Sequence, residues 1–303
     1  MLDELDVFFG DATVHSARLY ARSPRPADGG AWSLEGNVRG PFSSHGQTLP
    51  ANSPLVDGGA GPTLLGEAVI PDPCFWTPEN PTLYEIELRV LHEGREVAAD
   101  TRTLGIRRLG VRGGDFVFDA KRWVLRGIDR RQVAHEPPDP IGDRQLHAWW
   151  DLAATVVTTD PDDALCAAAS REGVVVLARL DTAGEMWRDE LRRLAHWAAV
   201  GLVTLDGPGV EPEARVRNLA PNLCLVQSFR AGQPVAPAPW AHAVKVEVTS
   251  DLAGFASRVA GCSLPVIASR PLTTPLDLPE ARAAVDALQR DLAPHGDYAG
   301  YVV

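Results

Sequence analysis

"GVVVLARLDTAGEMWRDELRRLAHWAAVGLVTLDG", residues 173–207, decides how the larger part of this chain folds. Two almost wholly apolar runs, 173–180 and 201–207, flank a stretch with Trp187, Leu191, Leu194 and Trp197 at helical spacing. Apolar runs of this kind suit parallel strands covered on both faces, and the amphipathic stretch between them suits a crossover helix. The same kind of run recurs at 122–128, 154–159, 222–229, 243–250, 264–270 and 298–303, which makes eight. Two more helices are expected: 161–173, with Pro161 and Asp162 at its start and Gly173 at its end, and 278–296, with Ala284, Val285, Leu288 and Leu292 on one face. Eight strands alternating with helices predict a (β/α)8 TIM barrel. Only about 185 residues carry it against a usual ~250, so the barrel is a reduced one. Short loops are expected in place of helices after strands four, five and six. An open doubly wound sheet is the alternative, but no GxGxxG or GxxxxGK[ST] follows any strand.

Working toward the N-terminus, the composition changes near residue 115. Residues 12–22 and 82–109 alternate apolar and polar side chains. Leu83, Ile86, Leu88 and Val90 precede a turn at His92-Glu93-Gly94-Arg95, which reads as an antiparallel hairpin. Short strands over about 110 residues predict an immunoglobulin-like β-sandwich. Residues 39–63 are rich in Gly, Pro and Ser and read as a long polar loop or irregular edge strands. The expected division is a sandwich over 1–112 and a barrel over 113–303.

The bulk numbers restrict the partners. The 303 residues carry a formal net charge of −11, which argues against nucleic acid or an anionic membrane surface. No run approaches the roughly 20 apolar residues that span a bilayer, and no signal peptide is evident, so a cytoplasmic location is expected. Cys74, Cys166, Cys224 and Cys262 are far apart and form no CxxC or Cys/His cluster. They read as packing residues in a reducing compartment, with no metal or other cofactor expected.

Residues 74–133 carry a more specific signal. Trp76, Pro78, Pro81, Leu83 and Tyr84 form a Trp-x-Pro-x-x-Pro-x-Leu-Tyr run; Leu104-Gly105-Ile106-Arg107 follows, and Leu125-Arg126-Gly127-Ile128-Asp129-Arg130-Arg131 ends the segment. In this order the elements resemble glycoside hydrolase family 2, the β-galactosidase and β-glucuronidase family. The resemblance implies an immunoglobulin-like domain leading into barrel strand one. The family's N-terminal jelly-roll sugar-binding domain is not expected, because too few residues precede Trp76.

The resemblance also implies chemistry. Retaining glycosidases use two carboxyl groups about 5–5.5 Å apart, one an acid/base and one a nucleophile. In this family the first is a Glu after strand four and the second a Glu at the end of strand seven. Here the matching positions carry Pro208 and either Ser269 or Arg270. Proline transfers no proton, and arginine stays protonated and is no nucleophile. The expectation is a pseudo-glycosidase serving as a carbohydrate- or protein-binding module, with a sugar, a protein or a second copy of the chain as partner. Asp129, Arg130, Arg131, Arg179, Asp206 and Arg270 are its candidate ligand-binding residues at the strand ends. Their alternative role is a set of ion pairs capping the barrel mouth. Against this stands an active hydrolase on β-linked sugars with relocated carboxylates, Asp206 and Glu247. Trp149-Trp150 is placed at a helix start and "DPDD" (160–163) at a helix N-terminus.

Overall fold

A computed structural model describes residues 5–27, 29–134, 143–184, 186–206 and 214–303. The chain divides into two compact units, Met1–Arg107 and Arg108–Val303.

The first unit holds seven antiparallel strands: β1 (Asp6–Ala12), β2 (Ser16–Pro24), β3 (Trp32–Phe42), β4 (Ala51–Asp57), β5 (Thr63–Pro71), β6 (Leu83–His92) and β7 (Arg95–Leu104). Their order is β1-β2-β5-β4-β3-β6-β7. β4 pairs with β3 through Ala51–Leu55 and with β5 through Val56 and Asp57. It therefore passes from one layer of an immunoglobulin-like sandwich to the other. Period-2 burial builds the core: Tyr84, Ile86, Leu88 and Val90 of β6 are buried while Glu85, Glu87 and Arg89 are exposed. Glu93 (φ 50°) and Gly94 (φ 73°) close the β6–β7 hairpin, both in the left-handed region that a two-residue turn of the right twist requires. Of the two expectations for residues 39–63, a long polar loop or irregular edge strands, the structure favours strand. These residues contain the end of β3 and all of β4, where Ser53 and Leu55 are buried between exposed Asn52, Pro54 and Val56. The alternation is present there, hidden by the turn-forming composition around it.

The Trp-x-Pro run is a piece of local architecture. The Tyr84 hydroxyl accepts from the Cys74 amide at 2.9 Å, and the Thr82 hydroxyl donates to the Cys74 carbonyl at 3.1 Å. Burial pushes the Tyr84 hydroxyl up to about 12, so it stays a neutral partner at any ordinary pH. Trp76 is fully buried and donates its amide to the Ile106 carbonyl at 2.8 Å.

The second unit opens with a three-stranded meander, β8 (Leu109–Arg112), β9 (Asp115–Phe118) and β10 (Lys121–Trp123). Arg122 ties it to the barrel by donating to Asp115 and Asp297, both at 2.7 Å. Eight parallel strands then close on themselves: β11 (Leu125–Asp129), β12 (Thr155–Thr159), β13 (Val176–Asp181), β14 (Val200–Asp206), β15 (Cys224–Phe229), β16 (Ala243–Glu247), β17 (Val266–Ser269) and β18 (Gly300–Val302). Each matches one of the eight apolar runs. The helices are α1 (Asp143–Asp151), α2 (Asp163–Glu172), α3 (Trp187–Ala195), α4 (Leu252–Val259) and α5 (Leu278–Leu292).

The expected loss of helices holds in part. A 3-10 turn (Ala214–Leu219) is what is described between β14 and β15, and the described residues between β15 and β16 hold no helix. Strand six departs from expectation, because α4 follows it. Asp251 caps α4 by accepting from the Gly254 amide at 2.8 Å, and Phe255 and Val259 bury its inner face. Two buried side chains in eight residues are too few for periodicity to stand out. Trp149 and Trp150 lie in the last turn of α1, not its first. Asp162 caps α2 by accepting from the Leu165 amide at 2.8 Å, as the acidic start of that helix implies. Among the described residues no helix is long and apolar enough to cross a membrane.

Candidate functional site

Strand alternation decides which side chains face the bore. Arg126 approaches Asp286 of α5 at 3.8 Å, so it points out to the helical layer. Leu125, Gly127 and Asp129, of opposite parity, point in. A Cβ at Gly127 would lie 2.8 Å from Val157 Cγ2 and 2.9 Å from Val302 Cγ2, which places those two valines in the bore beside it. Side chains at one register on neighbouring strands share a face. The pairs Thr159–Arg179, Arg179–Thr204 and Thr204–Val226 carry the inward face from β12 to β15. Ser228, two residues after Val226, pairs with Lys245 of β16, and Lys245 pairs with Ile267 of β17. The upper layer of the bore is therefore polar on most strands, above a floor of aliphatic side chains.

Asp129 is the centre of this layer. Its side chain is 11% exposed and accepts from Arg179 Nη1 at 2.8 Å, from Arg131 Nη2 at 2.9 Å and from Arg131 Nε at 3.2 Å. It also accepts from the Arg131 amide at 3.1 Å, capping a 3-10 turn over Arg130–Gln132. Burial alone would raise its pKa. The hydrogen bonds from Arg131 and Arg179, with the Arg179 charge, outweigh burial and hold the carboxyl below its ordinary 3.8. Asp129 is a fixed carboxylate. Arg179 is 13% exposed and Arg131 69%, so one pair is interior and the other belongs to the rim.

The remaining candidates separate. Asp206 ends β14 half-buried, and its carbonyl accepts from the Thr182 amide at 2.9 Å. Glu247 ends β16 and accepts from the Ala231 amide at 3.2 Å, which draws its carboxylate toward the β15–β16 loop. Arg130 is half-buried in the 3-10 turn. Arg270 departs from its expected role as a donor at the mouth. Its amide donates to the Val302 carbonyl at 2.9 Å, and its guanidinium reaches Asp291 of α5 at 2.8 Å. A long cation at a strand end finds a helix carboxylate outside more cheaply than a second buried anion inside. Pro208 lies outside the described residues. Among the described residues no group of His, Cys, Asp and Glu is arranged to hold a metal ion.

One site residue escaped the sequence reading. Lys245 stands mid-strand in β16 within the field of Asp206, Arg179, Asp129 and Arg131. In "AVKVEV" it looks like the polar half of an alternating strand. The available signal was that Lys121 and Lys245 are the only lysines among 29 Lys and Arg residues.

Residues 31–107 match the family model Glycosyl hydrolases family 2. A curated β-galactosidase, BgaC of Bifidobacterium adolescentis, is 34% identical over 58 residues, which is 19% of this chain and 6% of that protein. A family 2 member from Bacteroides cellulosilyticus superposes with a TM-score of 0.67 at 15% identity, covering 99% of this chain and 43% of that one. The β-glucuronidase of Bacteroides uniformis gives 0.65 at 16%, covering 99% and 45%. That of Bifidobacterium dentium, complexed with coumarin-3-O-glucuronide, gives 0.66 at 13%, covering 98% and 59%. The chain thus spans less than two thirds of each of these proteins.

Proposed function

We propose that this glycosyl hydrolase family 2-like chain binds a ligand at its barrel mouth without cleaving glycosidic bonds. The observation that carries the reading is the state of Asp129. Glycosidic cleavage needs one carboxyl group kept protonated by a raised pKa and a second free to attack or activate water. The buried carboxylate at this mouth is shifted the opposite way and engaged by two guanidiniums. The residues matched to the family's acid/base and nucleophile, Pro208 and either Ser269 or Arg270, add to it, since none of them carries a carboxyl group. What remains is a polar bore of hydroxyls, guanidiniums and an amine, able to donate hydrogen bonds to a small oxygen-rich ligand such as a saccharide.

The test is turnover of nitrophenyl β-glycosides together with calorimetry against the parent sugars. Saccharide binding with no turnover is the expected result. Rates at or above about 1 s⁻¹, within the ordinary enzyme range, that vanish in Asp206→Asn or Glu247→Gln would show relocated carboxylates at work and overturn the reading.

A further inference from the structure

Four neighbouring strands place an unusual set of groups in the bore. Arg179 Nε and Nη2 on β13, Thr204 Oγ1 on β14 and Ser228 Oγ on β15 are buried with no hydrogen-bond partner among the described residues. Native interiors hold few such atoms, and four on three consecutive strands call for a common explanation. Lys245 completes the half-ring on β16, its Cα opposite that of Ser228. Its side chain is half-buried, and among the described residues its ammonium makes no hydrogen bond or ion pair. Burial lowers its pKa from the ordinary 10.5; the Asp206 and Asp129 charges oppose this, and those of Arg179 and Arg131 add to it. The choice of residue is informative too. The chain uses arginine for every cation but two, and Lys121, the other lysine, is exposed on β10. An amine can lose its proton and attack a carbonyl carbon, which a guanidinium cannot.

We propose that Lys245 is a carbonyl-capturing amine that forms an imine with a small 2-oxo carboxylic acid seated in the half-ring of Arg179, Thr204 and Ser228. The Nε–Nη2 edge of Arg179 presents two parallel N–H groups, the arrangement that takes a carboxylate in bidentate fashion. Its Nη1 stays on Asp129, which orients the guanidinium. With Lys245 protonated, three cations (Arg131, Arg179 and Lys245) face two carboxylates (Asp129 and Asp206), so an incoming carboxylate is attracted; once the amine gives up its proton these charges balance, and the Arg179 N–H groups hold the ligand. The neutral Nζ adds its lone pair to the carbonyl carbon, and the carbonyl oxygen takes up a proton to give a carbinolamine. Loss of that hydroxyl as water, with the remaining proton leaving nitrogen, forms the C=N bond. Amine and carbonyl become imine and water, with nothing oxidised or reduced. The Thr204 and Ser228 hydroxyls are placed to donate to the departing oxygen. The proposal rests on the reading of the mouth as a ligand site, but not on the loss of glycoside cleavage.

The test uses the intact chain with pyruvate or glyoxylate and sodium cyanoborohydride, which delivers hydride to the imine and makes the adduct permanent. Intact-mass and peptide mass spectrometry then locate it. The expected result is one adduct on Lys245, with exposed Lys121 and the α-amine modified at least about tenfold less. Arg179→Gln is expected to lower labelling of Lys245 by pyruvate at least about tenfold more than it lowers labelling by acetaldehyde, which has no carboxylate and reports the change in the amine alone. Lys245→Met is expected to bring total labelling down to the Lys121 level; should that variant fail to fold, the peptide map of the unmodified chain decides alone. No adduct on Lys245, equal labelling of the two lysines, or labelling indifferent to Arg179 would each overturn the proposal. Saccharide binding without labelling sinks this inference and leaves the proposed function standing, whereas glycoside turnover with Lys245 labelling does the reverse.

Discussion

Replacing Asp129 by Asn keeps the shape of the side chain and removes the one negative charge that Arg131 and Arg179 share. The rim pair contributes little, because Arg131 is 69% exposed and solvated pairs are worth about 0–1 kcal/mol. The interior pair decides the outcome. Arg179 is 13% exposed, its Nη1 lies 2.8 Å from Asp129, and its other two nitrogens have no partner among the described residues. Stranding a buried guanidinium in this way costs about 3–5 kcal/mol. An amide oxygen can still accept one bond, so the expected loss is at the lower end, about 3 kcal/mol. For a barrel unit of this size that lowers the midpoint of thermal unfolding by roughly 6–12 °C. Urea denaturation of the full chain measures the free energy directly. Asp129→Asn with Arg179→Met is expected to recover more than half of the loss, since removing both charges removes the stranded ion. The pH dependence has a definite sign. The folded pKa of Asp129 lies below 3.8, so its contribution is complete above the ordinary value and is lost as pH falls through the folded one. The gap between wild type and Asp129→Asn is therefore constant near neutrality and narrows only below about pH 3.8. A single variant within 1 kcal/mol of wild type, or a double variant as unstable as the single, would refute this account of the mouth.

Two further substitutions probe the frame. Tyr84→Phe leaves the Cys74 amide without its 2.9 Å acceptor and is expected to cost about 1–3 kcal/mol, read as a shift of the urea midpoint without a change in slope. Gly127→Ala forces a methyl to within 2.8–2.9 Å of Val157 and Val302 across the bore and is expected to cost about 1–3 kcal/mol; a neutral result would mean that the bore has room at this layer.

Much of the barrel was legible because its strands are short, apolar and separated by amphipathic or polar stretches. That signal is local, and all eight strands carry it. Helices α3 and α5 were legible from periodicity and α2 from its end signals, as at Asp162, which accepts from the Leu165 amide three residues on. Helix α4 and strand β4 were not, because each buries only two side chains among small or turn-forming residues. At the site, the identities of Pro208, Ser269 and Arg270 were plain from their positions after strands. The destination of Arg270 was not, since its partner Asp291 is 21 residues away on α5.

Order along the chain was enough for the architecture, since hydrophobic period, caps and turn chemistry act over a few residues and point to one closure of the strands. The same order also carries the expectation, drawn from the family resemblance, that Pro208 and either Ser269 or Arg270 stand where the family has its two carboxylates, since that is a matter of side-chain identity. The mouth belongs to tertiary structure. Asp129 and Arg179 are 50 residues apart, and Arg179 and Lys245 are 66, yet barrel register brings them into one layer. Whether a charge is exposed, paired or stranded depends on which strands close beside it, and with that go its pKa and its chemistry.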